Sequence, residues 1–482
     1  MNERTTRQRM YPKDLMIVIV ISLGSFMAGL DATIVNIALP SISKAFDIST
    51  VTVSWVLNAY LIILVSLLLA ASRLGDIKGY RRVFLTGFAI FTVGSALCGL
   101  APTINILIIS RMVQAIGGAI IAALGAVMVT SYLASSLRGQ ALGIVAMFTM
   151  LGAALGPVVG GFLTSAFSWR VIFYVNLPVG IIAIVLGLYI LPRLSPVTPE
   201  AKLDLPGVAL IFVALGTLIY GLTSLLGASA MSAVLALIVS VVFWALFSLR
   251  ERRAAEPLID MRLFSNRSFS LQNVSVMLIQ MGMAGVMILM PFFLEMVKQL
   301  PTDNAGTILL ALPIGMILTS PIAGRFSDVI GTKKPIITGF VICAVALFFL
   351  STLGPYTSVG HVEVYLFLLG AGTGIAYAPL NSAIMGESAP KDRGTTSGLI
   401  KMMTNLGSSL GVALVMLVAA AAMGPKLADV SAHTIPPVEL AGAFDITFLF
   451  LMGIEILGMV LMLFVKEKMN GYSTDGEPVA GF

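Results

Sequence analysis

The sequence predicts an all-α membrane protein that crosses the bilayer fourteen times. Two observations predict the class. Of 482 residues, 58% are apolar and only 11% are charged, whereas a soluble domain carries roughly 25% charged residues. The apolar residues also run in continuous stretches of about 20, the length that spans a hydrocarbon core as a helix, without the alternation of membrane strands. A third observation, the distribution of lysine and arginine among the loops, checks the count.

The first apolar run, 14–38, is too long for the core of a signal peptide and lacks a convincing cleavage site, so it reads as a retained first helix. Five more spans follow at 52–72, 83–101, 105–131, 140–164 and 172–191. Two stand at 206–226 and 231–249, and the last six at 268–295, 304–324, 335–353, 362–386, 396–423 and 445–465. With the N-terminus in the cytoplasm, 24 of the 29 Lys and Arg fall on cytoplasmic segments and four, Lys44, Arg170, Lys298 and Lys426, fall outside. The remaining one, Arg111, lies within a span. One missed or extra helix would invert this bias downstream, so the number of spans is even and both termini are cytoplasmic. The net charge of +6 is thus topological and does not point to nucleic acid. Cys98 and Cys343 both fall within spans, which argues against a disulfide framework.

The loop after the second span, Ser72-Arg-Leu-Gly-Asp76-Ile-Lys-Gly79-Tyr-Arg81-Arg82, repeats after the tenth as Gly324-Arg-Phe-Ser-Asp328-Val-Ile-Gly331-Thr-Lys333-Lys334, without a gap at an offset of 252. Parallel repeats about an axis normal to the membrane are a transporter signature. The offset covers eight helices, so halves of six leave two helices between them. The expected units are 14–191, a six-helix bundle; 192–267, two inserted helices with charged flanking loops; and 268–466, a second six-helix bundle.

The repeated loop resembles the signature loop of the major facilitator superfamily. Leu30-Asp31-Ala-Thr33-Ile-Val-Asn36-Ile-Ala-Leu39-Pro40 resembles the first-helix motif of its fourteen-helix drug:proton antiporters. Arg111-Met-Val-Gln114-Ala-Ile-Gly117-Gly118 is similar to the proton-coupling arginine motif, and Gly152-Ala-Ala-Leu-Gly156-Pro157-Val-Val-Gly160-Gly161 to the antiporter motif. Trp169-Arg170, with Phe173, Asn176, Pro178 and Gly180, is also typical of that branch. The departures are Ser72, Ile77, Tyr80 and Ala115, and the absence from 402–423 of an acidic residue that several relatives carry. The resemblance implies the major facilitator fold as six, two and six helices, and multidrug efflux conferring antibiotic resistance across a cell membrane.

Three charges lie well inside spans: Asp31, Arg111 and Glu455. A charge there is costly and is a functional hypothesis by default. Asp31 and Arg111 lie at a common depth, ~10 Å below the outer surface at the helical rise per residue. A nearby guanidinium favours the charged carboxylate and desolvation the neutral one, so Asp31 is expected to bind and release the driving proton, tuned by Arg111. A static ion pair is the plainer alternative. Glu455 is expected to be a protonated, hydrogen-bonded side chain at the periphery, and Lys401 to snorkel to the cytoplasm. In the family the loop Asp latches the two halves, so Asp76 with Arg81, Arg82 and Arg138, and Asp328 in the repeat, are expected at an inner gate. Gly152, Gly156, Pro157, Gly160 and Gly161 combine close helix approach with a helix break and are expected to form a hinge or seal.

A substrate path is expected along Met277, Gln280 and Met281 of the ninth span, with Asn58, Tyr60, Tyr377, Asn381 and Asn405 as polar points, since flexible thioethers suit promiscuous apolar ligands. No Walker sequence or clustered metal set occurs. The reading is therefore a monomeric secondary exporter of lipophilic, cationic or amphipathic compounds, needing no cofactor, driven by the proton gradient and solvated by membrane lipids. An exporter of one metabolite, lipid or siderophore is the alternative. A channel or membrane enzyme is remote, because no repeated filter and no clustered titratable groups at one face are found.

Overall fold

The computed structural model describes residues 11–197, 200, 203–225, 230–253, 262–388, 393–423 and 437–465; side chains at a few of these positions, Asp328 among them, lie outside the description. Among the described residues, fourteen helices are long and apolar enough to cross a membrane. They are α1 (Pro12–Phe46), α2 (Thr50–Lys78), α3 (Tyr80–Leu100), α4 (Ile104–Tyr132), α5 (Gln140–Ala166), α6 (Val171–Ile190), α7 (Leu205–Ser224), α8 (Met231–Arg253), α9 (Arg267–Val297), α10 (Thr302–Ser327), α11 (Lys333–Leu350), α12 (Val359–Gly386), α13 (Thr396–Met423) and α14 (Ala441–Leu463). No strand occurs among the described residues.

Side-chain caps start several of these helices by satisfying backbone N–H groups that have no partner within the helix. Ser49 accepts from the Thr52 amide at 3.2 Å, Thr103 from Ile106 at 3.4 Å, and Asn266 from Ser268 at 3.0 Å. Asp204 caps α7 through the Gly207 amide at 3.0 Å and accepts from the Arg250 Nε of α8 at 2.9 Å, which ties the two ends of that hairpin together. The two repeated loops share a backbone device. Gly79 has φ of 88° and Gly331 φ of 84°, at positions aligned by the sequence repeat. Residues with a Cβ avoid that region, and it lets α2 reverse into α3 in one residue, and α10 into α11 in a short turn.

In the first half, α1 lies along α5, while α4 lies along α2 and α3. In the second, α9 lies along α13, and α12 along α10 and α11. α7 rests on α2 and α13, and α8 mainly on α7. Contacts between the halves run through α5 with α10, α2 with α13, and α1 with α9.

Call the face with the basic turns at 73–82 and 325–334 the basic side, and the opposite face the far side. On the far side a single apolar core runs through both halves, joining Leu30, Ile34 and Val56 to Met287, Phe293, Leu309 and Phe444. On the basic side the cores separate. One is made of α1–α6 residues such as Phe84, Phe88 and Leu124. The other is made of Phe269, Phe340, Leu399 and their neighbours, with Ile62 and Val65 of α2 inserted. Apolar burial is the main favourable term in such packing, so the halves are fused on the far side and joined on the basic side along the α2–α13 seam.

Candidate functional site

Four helices of the first half deliver hydrogen-bonding side chains to one buried cluster. α1 supplies Asp31 and α4 supplies Arg111 and, one turn on, Gln114. α3 supplies Ser95 and α6 supplies Asn176. Asp31 is 0% and Arg111 1% exposed, and Arg111 Nη1 lies 2.8 Å from Asp31 Oδ2. The other carboxylate oxygen accepts from Gln114 Nε2 at 2.9 Å and from Asn176 Nδ2 at 3.3 Å. Gln114 Nε2 also donates to Ser95 Oγ at 2.8 Å.

The guanidinium has more than one acceptor. Its Nη1 also donates to Gln114 Oε1, and its Nε to the Val56 carbonyl at 3.2 Å. Its plane lies over the Tyr60 ring, 4.2 Å from the centroid, with Phe173 at 5.8 Å, both within cation–π range. Gly118 makes room for this arrangement, because a Cβ there would collide with the Tyr60 hydroxyl. A buried ion pair is tolerable only when its remaining donors and lone pairs find partners; here both Asp31 oxygens and the Arg111 Nε and Nη1 have them, while Asn176 Oδ1 is left without one.

Thr33, two residues beyond Asp31, links the cluster to α5. Pro157 has no N–H and so leaves the Ala153 carbonyl, one turn earlier, without its helical donor. Thr33 Oγ1 takes that place, donating to the Ala153 carbonyl at 3.0 Å. Gly156 allows it, since a Cβ there would land on Thr33 Oγ1. Of the expected hinge residues, Gly152, Gly156 and Gly160 therefore face α1, whereas Gly161 faces α10. There Gly161 and the Pro157 carbonyl meet Gly306 so closely that a Cβ on Gly306 would strike that carbonyl. This is the far-side seam between the halves.

The structure disperses other expected groups. Asp76 accepts from the Tyr80 hydroxyl at 2.6 Å, Arg81 donates to the Leu188 carbonyl, Arg138 Nε donates to the Leu133 carbonyl at 3.2 Å, and Arg82 is exposed. The four are not drawn together, and the Asp328 side chain lies outside the described residues. Tyr60 lies beneath Arg111 and belongs to the buried cluster. Asn58 is buried with neither amide atom partnered, and Gln280 Oε1 is also unpartnered. Met277 and Met281 hold α13 close, their carbonyls lying against Gly407 and Gly411. Tyr377 shares a hydrogen bond of 3.0 Å with Thr404, Asn381 donates to the Tyr377 carbonyl at 2.9 Å, and Asn405 to the Lys401 carbonyl at 2.8 Å.

Two expectations are corrected. Glu455 is not peripheral: it is 0% exposed, its carboxyl lies against Gly282 of α9, and neither oxygen has a hydrogen-bond partner. Lys401 does not snorkel; its Nζ crosses to the other half and donates to the Ala122 carbonyl at 2.7 Å. Among the described residues no group of His, Cys, Asp and Glu is placed to hold a metal ion.

Gln114, Asn176 and Ser95 were not singled out as site residues from the sequence. Gln114 and Asn176 do stand in the motifs quoted above, and as amides inside apolar spans at the depth of Asp31 they were the available signal.

The model of the Major Facilitator Superfamily matches residues 21–205, 205–412 and 274–478. A riboflavin transporter, RibZ, of Clostridioides difficile is 34% identical over 400 residues, covering 83% of this chain and 86% of that one. The multidrug resistance protein Stp of Mycobacterium tuberculosis is 30% identical over 429 residues, covering 88% and 80%. The tetracenomycin C resistance and export protein of Streptomyces glaucescens is 30% identical over 436 residues, covering 89% and 81%. Among solved structures, the POT family transporter PepTSo superposes with a TM-score of 0.67 at 15% identity, covering 95% of this chain and 98% of that one. The human organic anion transporter MFSD10 superposes with a TM-score of 0.64 at 16% identity, covering 94% and 100%. With its all-helical fold, this chain belongs to the major facilitator superfamily and to its drug-efflux branch, a membrane transporter and not an enzyme.

Proposed function

We propose that the protein is a proton-coupled antiporter that exports lipophilic, amphipathic compounds across a cell membrane by alternating access, with the basic side cytoplasmic. The observation that supports it best is the Asp31–Arg111 pair, because this pair is built to open. A proton on Asp31 weakens its tie to Arg111. The guanidinium then keeps Gln114 Oε1, the Val56 carbonyl and the Tyr60 ring as partners. Opening therefore leaves the guanidinium without a counter-ion but still hydrogen-bonded and stacked, which lowers the cost that normally locks a buried pair shut.

The motion has a route. Asp31 lies on α1, α1 is joined to α5 through Thr33 and the Ala153 carbonyl, and α5 meets α10 at Gly161 and Gly306. Protonation at Asp31 is thus mechanically connected to the seam that closes the far side. The fused far-side core and separate basic-side cores describe a molecule closed to the far side. Each proton moving inward down a 100 mV potential supplies about 2.3 kcal/mol to the cycle, with no nucleotide or other cofactor.

Purified protein in proteoliposomes, given an imposed pH gradient and a panel of lipophilic dyes, tests the reading. Asp31→Asn is expected to abolish pH-driven accumulation while leaving gradient-independent exchange of dye. Full pH-driven transport by a well-expressed Asp31→Asn protein would overturn it. The relative named a riboflavin transporter supports a second reading, dedicated transport of one metabolite. The breadth of the panel transported decides between them.

A further inference from the structure

α13 carries a second charge in the membrane that the proton mechanism does not use. Lys401 lies five residues beyond Thr396, ~8 Å along the helix axis from the start of α13 on the basic side. Its ammonium lies at the boundary between the halves, where it donates to the Ala122 carbonyl of α4. A carbonyl orients an ammonium but does not neutralise it. None of the three carboxylates buried in spans, among the described residues, pairs with it; Glu251 stands near the end of α8. Asp31 is engaged by Arg111, Gln114 and Asn176, and Glu455 lies on α14 against Gly282. Among the described residues Lys401 makes no ion pair, and two of its three donors are uncommitted.

The same face of α13 is polar and partly open. Lys401, Thr404, Asn405 and Ser408 recur at helical spacing, and all four are partly exposed within an apolar span. Tyr377 of α12 joins them through its hydrogen bond to Thr404. The Thr404 and Ser408 hydroxyls and one Asn405 amide hydrogen are bonded to α13 carbonyls, so the open donors here are those of Lys401 and the second Asn405 amide hydrogen, and an uncompensated cation at the boundary between the halves is the arrangement that an anion completes.

We infer that Lys401 anchors an acidic group of the transported compound, so that the substrates are amphipaths with an anionic oxygen group such as a carboxylate or sulfonate. The inference rests on the exporter reading for what is carried, and it replaces the cationic substrates expected from the sequence. A lipophilic cation at this seam would meet a like charge and, among the described residues, no carboxylate paired with Lys401.

Equilibrium binding to the full chain in nanodiscs, with no gradient, tests this. The probes are fluorescein, an anion, and a rhodamine methyl ester, a cation on the same fused-ring skeleton, both read by fluorescence polarisation. Wild type is expected to bind fluorescein more tightly. Lys401→Gln is expected to weaken fluorescein binding at least ~10-fold while leaving the rhodamine ester unchanged or tighter. Lys401→Arg is expected to retain fluorescein. A purely structural tie from Lys401 to Ala122 would move both dyes together. A wild type without preference for fluorescein, a Lys401→Gln protein that binds fluorescein like wild type, or equal loss of both dyes would overturn the inference. Because binding is read without a proton gradient, fluorescein binding through Lys401 alongside failed pH-driven transport would overturn the antiport reading alone. Loss of this inference would in turn leave the Asp31→Asn experiment standing.

Discussion

The two halves share an architecture and bury their charges in opposite ways. In the first half, Asp31 and Arg111 are paired, and amides, a carbonyl and an aromatic face surround them. In the second, Glu455 is buried with both oxygens unpartnered, and Lys401 reaches out of its own half to find an acceptor. The helix pairs beneath are nevertheless alike. Glycines of α5 seat against α1, and Gly407 and Gly411 of α13 seat against α9 carbonyls. A common scaffold therefore carries a switchable pair on one side and isolated charges on the other. Removing a group from the first half should break function or fold, whereas a matching change in the second should alter little or shift selectivity.

The largest effect is expected at Arg111. Arg111→Met leaves Asp31 buried without its cation, and removing one partner of such a pair costs ~3–5 kcal/mol. Low yield and a lowered unfolding midpoint should result. Adding Asp31→Asn to Arg111→Met should recover much of that stability and none of the pH-driven transport. Equal, additive losses of stability in a double-mutant cycle would mean that the two residues are not coupled.

Next comes the far-side seam. Gly306→Ala places a methyl group against the Pro157 carbonyl, an overpacking that costs ~1–3 kcal/mol in well-packed interiors. It burdens only the closed seam, so the fold should survive while closure does not. A Thr302→Cys probe beside the seam should label faster with a membrane-impermeant maleimide in the Gly306→Ala background, and transport should fall. Unchanged labelling would show that α5 and α10 do not form the gate.

Glu455→Gln should do much less. A carboxyl with no partner on either oxygen loses no hydrogen bond when it becomes an amide of the same shape. Transport and its pH dependence should stay near wild type, and any loss of stability should not exceed the ~1–3 kcal/mol of an unpaired buried polar group. A clear loss of pH-driven transport would give the second half a proton site and erase the contrast.

How much of this was legible beforehand follows the same physics. The helix count could be read because a membrane demands long apolar runs, and Asp31 and Arg111 could be singled out because a charge in such a run is conspicuous. Gln114 and Asn176 are neutral amides and did not stand out, although they complete the carboxylate's shell. Tyr60 looked suited to a substrate path, but which neighbour a face of α2 meets depends on helix packing that one sequence does not display. Lys401 failed for a related reason: its stem is long enough to leave the span or to cross the seam, and only the neighbouring α4 decides. The service of Thr33 to the carbonyl freed by Pro157 joins residues 120 positions apart in sequence, within two motifs that otherwise read as separate.

The smallest effect is expected at Asp204, outside the membrane. Partial burial raises the free energy of its charged form, but the Arg250 hydrogen bond and the Gly207 amide outweigh this and hold the carboxyl below its ordinary range. A lowered folded-state value contributes stability above the unfolded value and loses it as pH falls through the folded one. Asp204→Asn should therefore cost at neutral pH, by ~0.2–1 kcal/mol because the Arg250 side chain is 40% exposed and partly screened. The difference between mutant and wild type should shrink as pH falls below about 4, the ordinary aspartate value. Unfolding midpoints of the two proteins across that pH range measure it. A pH-independent difference would assign the effect to helix capping alone, and an effect on pH-driven transport would mean that the α7–α8 hairpin takes part in the cycle that Asp31 is proposed to drive.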